Sequence, residues 1–156
     1  MDKAEELMSY FPNLSYIIDE RVPKGQGGMS IDDFVYLSPY QSKTEFTSVL
    51  SEEVGHYLTS AGDITAQDTN EKRKQERKAR DVGATLVVTP DDILRCYENG
   101  CETIQSCADY LGVTKDTVTN AIDYYRRKDG AIMTENKDVI VFNIDNTVKV
   151  YKNDGY

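Results

Sequence analysis

Apolar residues recur at helical spacing in several separate stretches of this chain and alternate in others, so the pattern predicts a mixed, mostly helical α+β domain. Leu7 and Phe11 stand four residues apart beside Ala4, which predicts a short helix over residues 2–11. Ser15 to Ile18 and Ile31 to Leu37 carry the β-branched and aromatic residues of strands, with a turn at Lys24-Gly25-Gln26-Gly27-Gly28 between them, and together they predict a small N-terminal sheet. A long helix follows through Phe46, Val49, Leu50, Val54 and Leu58, capped by Ser42 or Thr44 and ending near Gly62. A second, from about Asn70 to Val88, places Ala79, Val82, Gly83 and Leu86 on one face, and its small residues Ala79, Gly83 and Ala84 would let another helix come close. Pro90 stops this helix, and Thr89 precedes a new start at Asp91, in a connecting helix with Ile93 and Leu94.

The remainder has a different rhythm. From Ile104 to Arg127, Ala108, Gly112 and Val118 occupy the small, turn and core positions of a helix-turn-helix, with Thr114 as cap of its second helix. Val139, Val141, Phe142, Val148 and Tyr151 then alternate as a hairpin or meander. Neither a repeat nor a low-complexity linker separates the pieces. They divide as a core over 1–90 and a helix-turn-helix-like unit with a C-terminal β-hairpin over 91–156, packed as one domain.

Composition narrows the function. No stretch approaches the roughly 18 apolar residues of a membrane span, and Met1-Asp2-Lys3-Ala4-Glu5-Glu6 lacks the features of a signal peptide, so a cytoplasmic protein is expected. The net charge of −9 disfavours binding nucleic acid over the whole surface. The basic run Lys72 to Arg80 reads as the solvated face of a helix. Cys96, Cys101 and Cys107 match neither a zinc knuckle nor a redox pair and read as reduced structural thiols.

The candidate chemistry lies in Leu50-Ser51-Glu52-Glu53-Val54-Gly55-His56-Tyr57, which contains the only histidine. In the H-E-x-x-H pattern two histidines one helical turn apart bind zinc, and the glutamate between them handles the proton of the attacking water. Here the pattern is E-E-x-x-H. Glu52 and His56 project from one side of the helix; a third ligand must come from elsewhere, and Glu76, at the head of the packed face of the next long helix, is the best placed. A carboxylate aligned with packed residues needs something positive to meet it. Asp63 ranks below it, being one residue beyond the third-ligand position of the extended motif. Glu53 is then the general base. The same spacing also suits a plain helix with solvent-facing glutamates and a hydrogen-bonded structural imidazole. Gly55 weighs against that reading, because a glycine inside a helix costs about 1 kcal/mol relative to alanine and calls for a packing or functional reason.

These stretches resemble the ImmA/IrrE-like metallopeptidases of phages and integrative elements, which carry an H-E-x-G-H helix and a later E-x-x-A helix ending near a proline. The counterparts are Glu52-Glu53-Val54-Gly55-His56 and Glu76-Arg77-Lys78-Ala79 before Pro90, and the likeness also takes in Gly27-Gly28, Thr59 to Ile64 and the Ala108-to-Tyr125 unit. One branch of the family also has glutamate at the first ligand position. The resemblance implies a zincin-like helix pair with His56, Glu76 and Glu52 as ligands of zinc or another divalent metal, and Glu53 as catalytic base. It further implies a role in cleaving or otherwise inactivating a helix-turn-helix repressor. Carboxylate for imidazole makes the metal a poorer Lewis acid, so a catalytically degenerate pseudopeptidase acting as a protein-binding inhibitor is the nearest alternative. A DNA-binding regulator using Lys115, Thr117, Thr119 and Asn120 is a second. Tyr57 and Tyr124 are the candidates for stabilising an oxyanion.

Overall fold

Helix capping sets most of the local structure. The computed structural model describes residues 1–60 and 69–154, so Asp63 lies outside the described residues. Asp2 accepts a hydrogen bond from the Glu5 amide and starts α1 (Lys3–Tyr10); Ser42 does the same for α2 (Lys43–Thr59) through the Glu45 amide. α3 (Thr69–Val87) is followed closely by α4 (Pro90–Glu98), where Thr89 and Asp92 form a reciprocal capping box and Pro90 takes the first turn. Asp92 is buried and is met by Lys3 Nζ at 2.5 Å and by the Arg95 guanidinium, which neutralise it. The helix-turn-helix expectation holds as α5 (Ile104–Leu111) and α6 (Lys115–Lys128), with Gly112 at φ 74° closing the first and Thr114 capping the second.

The strands differ in detail from the sequence pattern. The single strand expected over Ile31–Leu37 is two: β2 (Gly28–Ile31) and β3 (Phe34–Leu37), reversed at Asp32-Asp33 with Asp32 in the left-handed region at φ 53°. Aspartate tolerates that conformation, so the Asp-Asp pair turns the chain where the β-branched and aromatic residues predicted one continuous strand. With β1 (Ser15–Ile18) they form a sheet ordered β1-β3-β2, β1 parallel and β2 antiparallel to β3. Gly28, expected in the preceding turn, instead opens β2. A Cβ there would lie 2.8 Å from Val49 Cγ1 and 2.9 Å from the Tyr36 carbonyl oxygen, so the glycine lets the edge strand settle on α2. The C-terminal tail takes the meander of its two expected forms: β4 (Ala131–Met133), β5 (Val139–Phe142) and β6 (Val148–Tyr151) pair antiparallel in order, one strand more than a hairpin.

One apolar core runs through the molecule, joining Val35, Leu50, Val54 and Val88 to Val118, Ile140 and Phe142. Tyr125 ties its two ends together: its ring packs on Phe142 at 5.4 Å and its hydroxyl donates to the Val88 carbonyl at 2.8 Å, at the α3–α4 junction. Tyr125→Phe keeps the packing and removes the hydrogen bond. It is expected to cost about 1 kcal/mol in urea unfolding; an unchanged midpoint would mean that the carbonyl finds another partner.

Candidate metal centre

Small residues decide how the two long helices meet. On α2, Ser51 and Gly55 lie one turn apart; on α3, so do Ala79 and Gly83. A Cβ on Gly55 would stand 2.1 Å from the Ala79 carbonyl oxygen, and one on Gly83 would stand 2.4 Å from the Ser51 carbonyl oxygen. The helices therefore touch backbone to backbone, which is the packing reason that Gly55 required. Beside this seam runs a parallel row. Glu52 and His56, each next in sequence to a seam residue of α2, face Arg80 and Glu76, each three residues before a seam residue of α3. The charged row is thus placed by the glycine seam.

His56 Nε2 lies 3.2 Å from Glu76 Oε2, and one ligand atom from each of Glu52, His56 and Glu76 lies within 4.8 Å of the others. Metal–ligand bonds of about 2.0–2.2 Å set tetrahedral donors about 3.3 Å apart, so this donor set fits a divalent ion with small side-chain adjustments. Glu76 is 57% exposed, in contrast to the packed setting expected for it. Water as well as His56 meets it, since it sits one turn beyond the buried end of the seam at Ala79.

Glu53 has a separate support. It is half-buried on the side of α2 facing the sheet, where Ser30 Oγ of β2 donates to its Oε2 at 2.5 Å. Burial pushes the Glu53 carboxyl above the ordinary carboxylate range, against the opposing pull of the Ser30 hydrogen bond and the His56 charge. Gly28 makes this contact feasible by seating β2 against Val49, one turn before Glu53.

Two participants have no counterpart in the sequence reading. Ser30 carries no motif, and its role follows only from strand placement. Arg80 belongs to the run assigned to a solvated face. Lys72, Arg73, Lys74, Arg77, Lys78 and Arg80 are all exposed, as that assignment expects, but Arg80 Nε also lies 3.8 Å from Glu52 Oε1. Its place four residues after Glu76 was the available signal. A divalent ion must draw Glu52 away from this guanidinium and meet its like charge. Arg80→Gln is therefore expected to tighten zinc binding about 10-fold, equivalent to about 1.4 kcal/mol, in a competition titration. Equal or weaker binding would show that Arg80 does not compete with metal.

A cavity of about 1020 Å³ opens beside Glu52 and Arg80, bounded by the Glu20-to-Gly27 loop, Gln41, Ser48 and the start of α6. α6 is fixed against the helix pair: the Thr114 amide donates to Ser48 Oγ at 3.0 Å, and Arg127 pairs with Asp81 at 2.9 Å. This placement weighs against α6 reading DNA. Thr117 is buried, Thr119 bonds back to the Lys115 carbonyl, and Asn120 lines hollows shared with α3. Of the two tyrosines considered for the oxyanion, Tyr57 is exposed beside His56, while Tyr124 packs edge-on against Tyr125 with Arg127 and Lys128 near its ring.

No curated protein sequence matches this chain. Among solved structures the fold is similar to a Mycobacterium tuberculosis transcriptional regulator, with a TM-score of 0.60 at 12% identity. That alignment covers 99% of this chain and 49% of the regulator, so the chain spans about half the regulator's length. The model of the IrrE N-terminal-like domain, Peptidase_M78, matches residues 16–123, which include both β2 and the whole helix pair, and the chain belongs to that family.

Proposed function

We propose that the protein is a zincin-type, metal-dependent endopeptidase that acts on a helix-turn-helix repressor, in the cytoplasm of a cell carrying a phage or mobile element. The observation that carries this reading is the convergence of Glu52, His56 and Glu76 from two helices with a half-buried, raised-pKa carboxylate, Glu53, on the adjoining turn. Membership of the peptidase family supports it, and no described helix is long and apolar enough to cross a membrane. The repressor as partner rests on family likeness.

A bound divalent ion would supply Lewis acidity, polarising the peptide carbonyl and acidifying a water. The protein's own part is proton handling. A carboxyl whose pKa burial has raised holds a proton more readily than an ordinary carboxylate, which suits it both to taking the water's proton and to giving it to the leaving amine. Ser30 fixes one oxygen of Glu53 and leaves the other for that exchange. The cavity along Glu52 and Arg80 gives an extended segment of another protein room beside the cluster.

A second reading has its own observation. Arg80 beside Glu52 already places a cation against one of the three ligands. A pseudopeptidase that binds its partner without cutting would retain this pairing and the cavity while having little use for metal.

Metal content and zinc affinity of the purified, tag-free protein separate the two. Under the peptidase reading the Glu52–His56–Glu76 cluster of the wild type holds one tightly bound ion, and His56→Ala and Glu76→Ala each weaken binding there by at least ~100-fold, more than loss of an outer-shell partner costs. Absence of any ion dependent on His56 and Glu76 would overturn the peptidase reading in favour of the pseudopeptidase.

A further inference from the structure

A second group of potential ligands lies apart from the helix pair. Cys96 near the end of α4, Cys101 in the following turn and Cys107 on α5 bring their sulfurs within 4.8 Å of one another. All three are free thiols; Cys96 is buried, and the others are half-buried. The gathering is built by the backbone. Asn99 ends α4, Gly100 turns the chain at φ 75°, and the Cys101 amide returns to the Cys96 carbonyl at 2.9 Å. Thr103 and Ser106 then form the capping box that starts α5 and places Cys107 one turn in, its amide on the Thr103 carbonyl at 3.0 Å. Two capped helix ends and one tight turn thus aim three sulfurs at a common point, which sequence spacing alone did not disclose.

We propose that Cys96, Cys101 and Cys107 form a three-thiolate site for a soft, thiophilic metal ion. Metal–sulfur bonds of about 2.3 Å put three ligand sulfurs about 4 Å apart, and the observed cluster reaches that by closing less than about 1 Å. The donor set is entirely sulfur. No carboxylate or imidazole among the described residues completes the group, and the one histidine belongs to the helix pair. Thiolate donors without hard ligands favour soft ions such as Cu(I) or Cd(II) over Mg(II) or Mn(II). Binding exchanges thiol protons for the ion, releasing up to three to solvent, and involves no change of oxidation state. Cys101 and Cys107, being partly exposed, give the ion its path in, while the surrounding apolar side chains exclude water from the Cys96 side.

The test is a Cd(II) titration of the reduced full chain under anaerobic conditions, read by the ultraviolet thiolate-to-cadmium charge-transfer band. One Cd(II) per chain with a three-thiolate intensity is expected. Cys101→Ser and Cys107→Ser should each reduce that intensity by about a third and weaken binding at least ~10-fold, the least that loss of even an outer-shell partner costs. The double variant His56→Ala/Glu76→Ala should leave the band unchanged, which separates this site from the helix-pair cluster. Circular dichroism checks that the variants fold; the half-buried Cys101 and Cys107 carry the test because Cys96 lies in the core. Absence of the band, a band indifferent to both cysteine substitutions, or a band abolished by excess Mg(II) would overturn the proposal.

Discussion

Gly55→Ala is expected to lower stability by about 3 kcal/mol or more, at or above the upper end of the usual cost of overpacking. The added methyl would meet the Ala79 carbonyl oxygen at 2.1 Å and the Gly83 amide nitrogen at 2.9 Å. Neither atom is the end of a flexible side chain, so the clash is relieved only by moving α3 away from α2. For a chain of this size about 3 kcal/mol corresponds to a fall of roughly 6–12 °C in Tm. The same displacement would draw Glu76 from His56 and Arg80 from Glu52, since both pairs lie in the row beside the seam. Gly83→Ala, with its methyl 2.4 Å from the Ser51 carbonyl oxygen, should behave alike. Thermal unfolding followed by circular dichroism checks both. A Tm within about 2 °C of wild type for Gly55→Ala would show that the helices are free to separate and that the glycine seam does not set the site.

Glu53→Gln should have the largest effect on activity while leaving the fold and the metal intact. The amide keeps the shape of the side chain and can still accept from Ser30, but it cannot take a proton. General acid–base groups contribute about 10²–10⁴-fold, so repressor cleavage by the metal-loaded protein is expected to fall by at least ~100-fold. Zinc affinity should stay near that of wild type, because Glu53 is not in the converging set of Glu52, His56 and Glu76. Paired measurements of cleavage and zinc titration decide the point. Equal loss of metal and activity would make Glu53 a ligand rather than the base, and unchanged cleavage would remove it from the chemistry.

These two residues differ in how far the chain's own pattern exposes them. Glu53 follows from a motif, since its place between Glu52 and His56 fixes its face and turn on any helix. Gly55 is visible as an anomaly whose cause is not: the sequence shows a helix-breaking residue where a helix is needed, but not the carbonyl that forbids anything larger. Arg80 is harder still. Within its charge run its one distinction from Arg77 is its place four residues after Glu76, and the three-residue offset between the seam and the charged row turns that into a contact with Glu52. Ser30 has no local signal, because its contact with Glu53 depends on a turn at Asp32-Asp33 that lies inside the single strand expected over Ile31–Leu37.

By itself the sequence determined what is decided within a few residues: the caps at Ser42, Thr89 and Thr114, the helical faces of α2, α3, α5 and α6, the turn at Gly112, and the common face of Glu52 and His56. Such features follow from backbone hydrogen bonding and the 3.6-residue period, which act over one or two turns. Only the tertiary structure decided which faces meet: the α2–α3 register that joins His56 to Glu76, the guanidinium of Arg80 on Glu52, the edge strand that supports Glu53, and the convergence of three cysteines from α4, its following turn and α5. Those arrangements depend on the volume left between packed elements, where one missing methyl moves a helix. That volume is a property of two segments together and is written in neither alone.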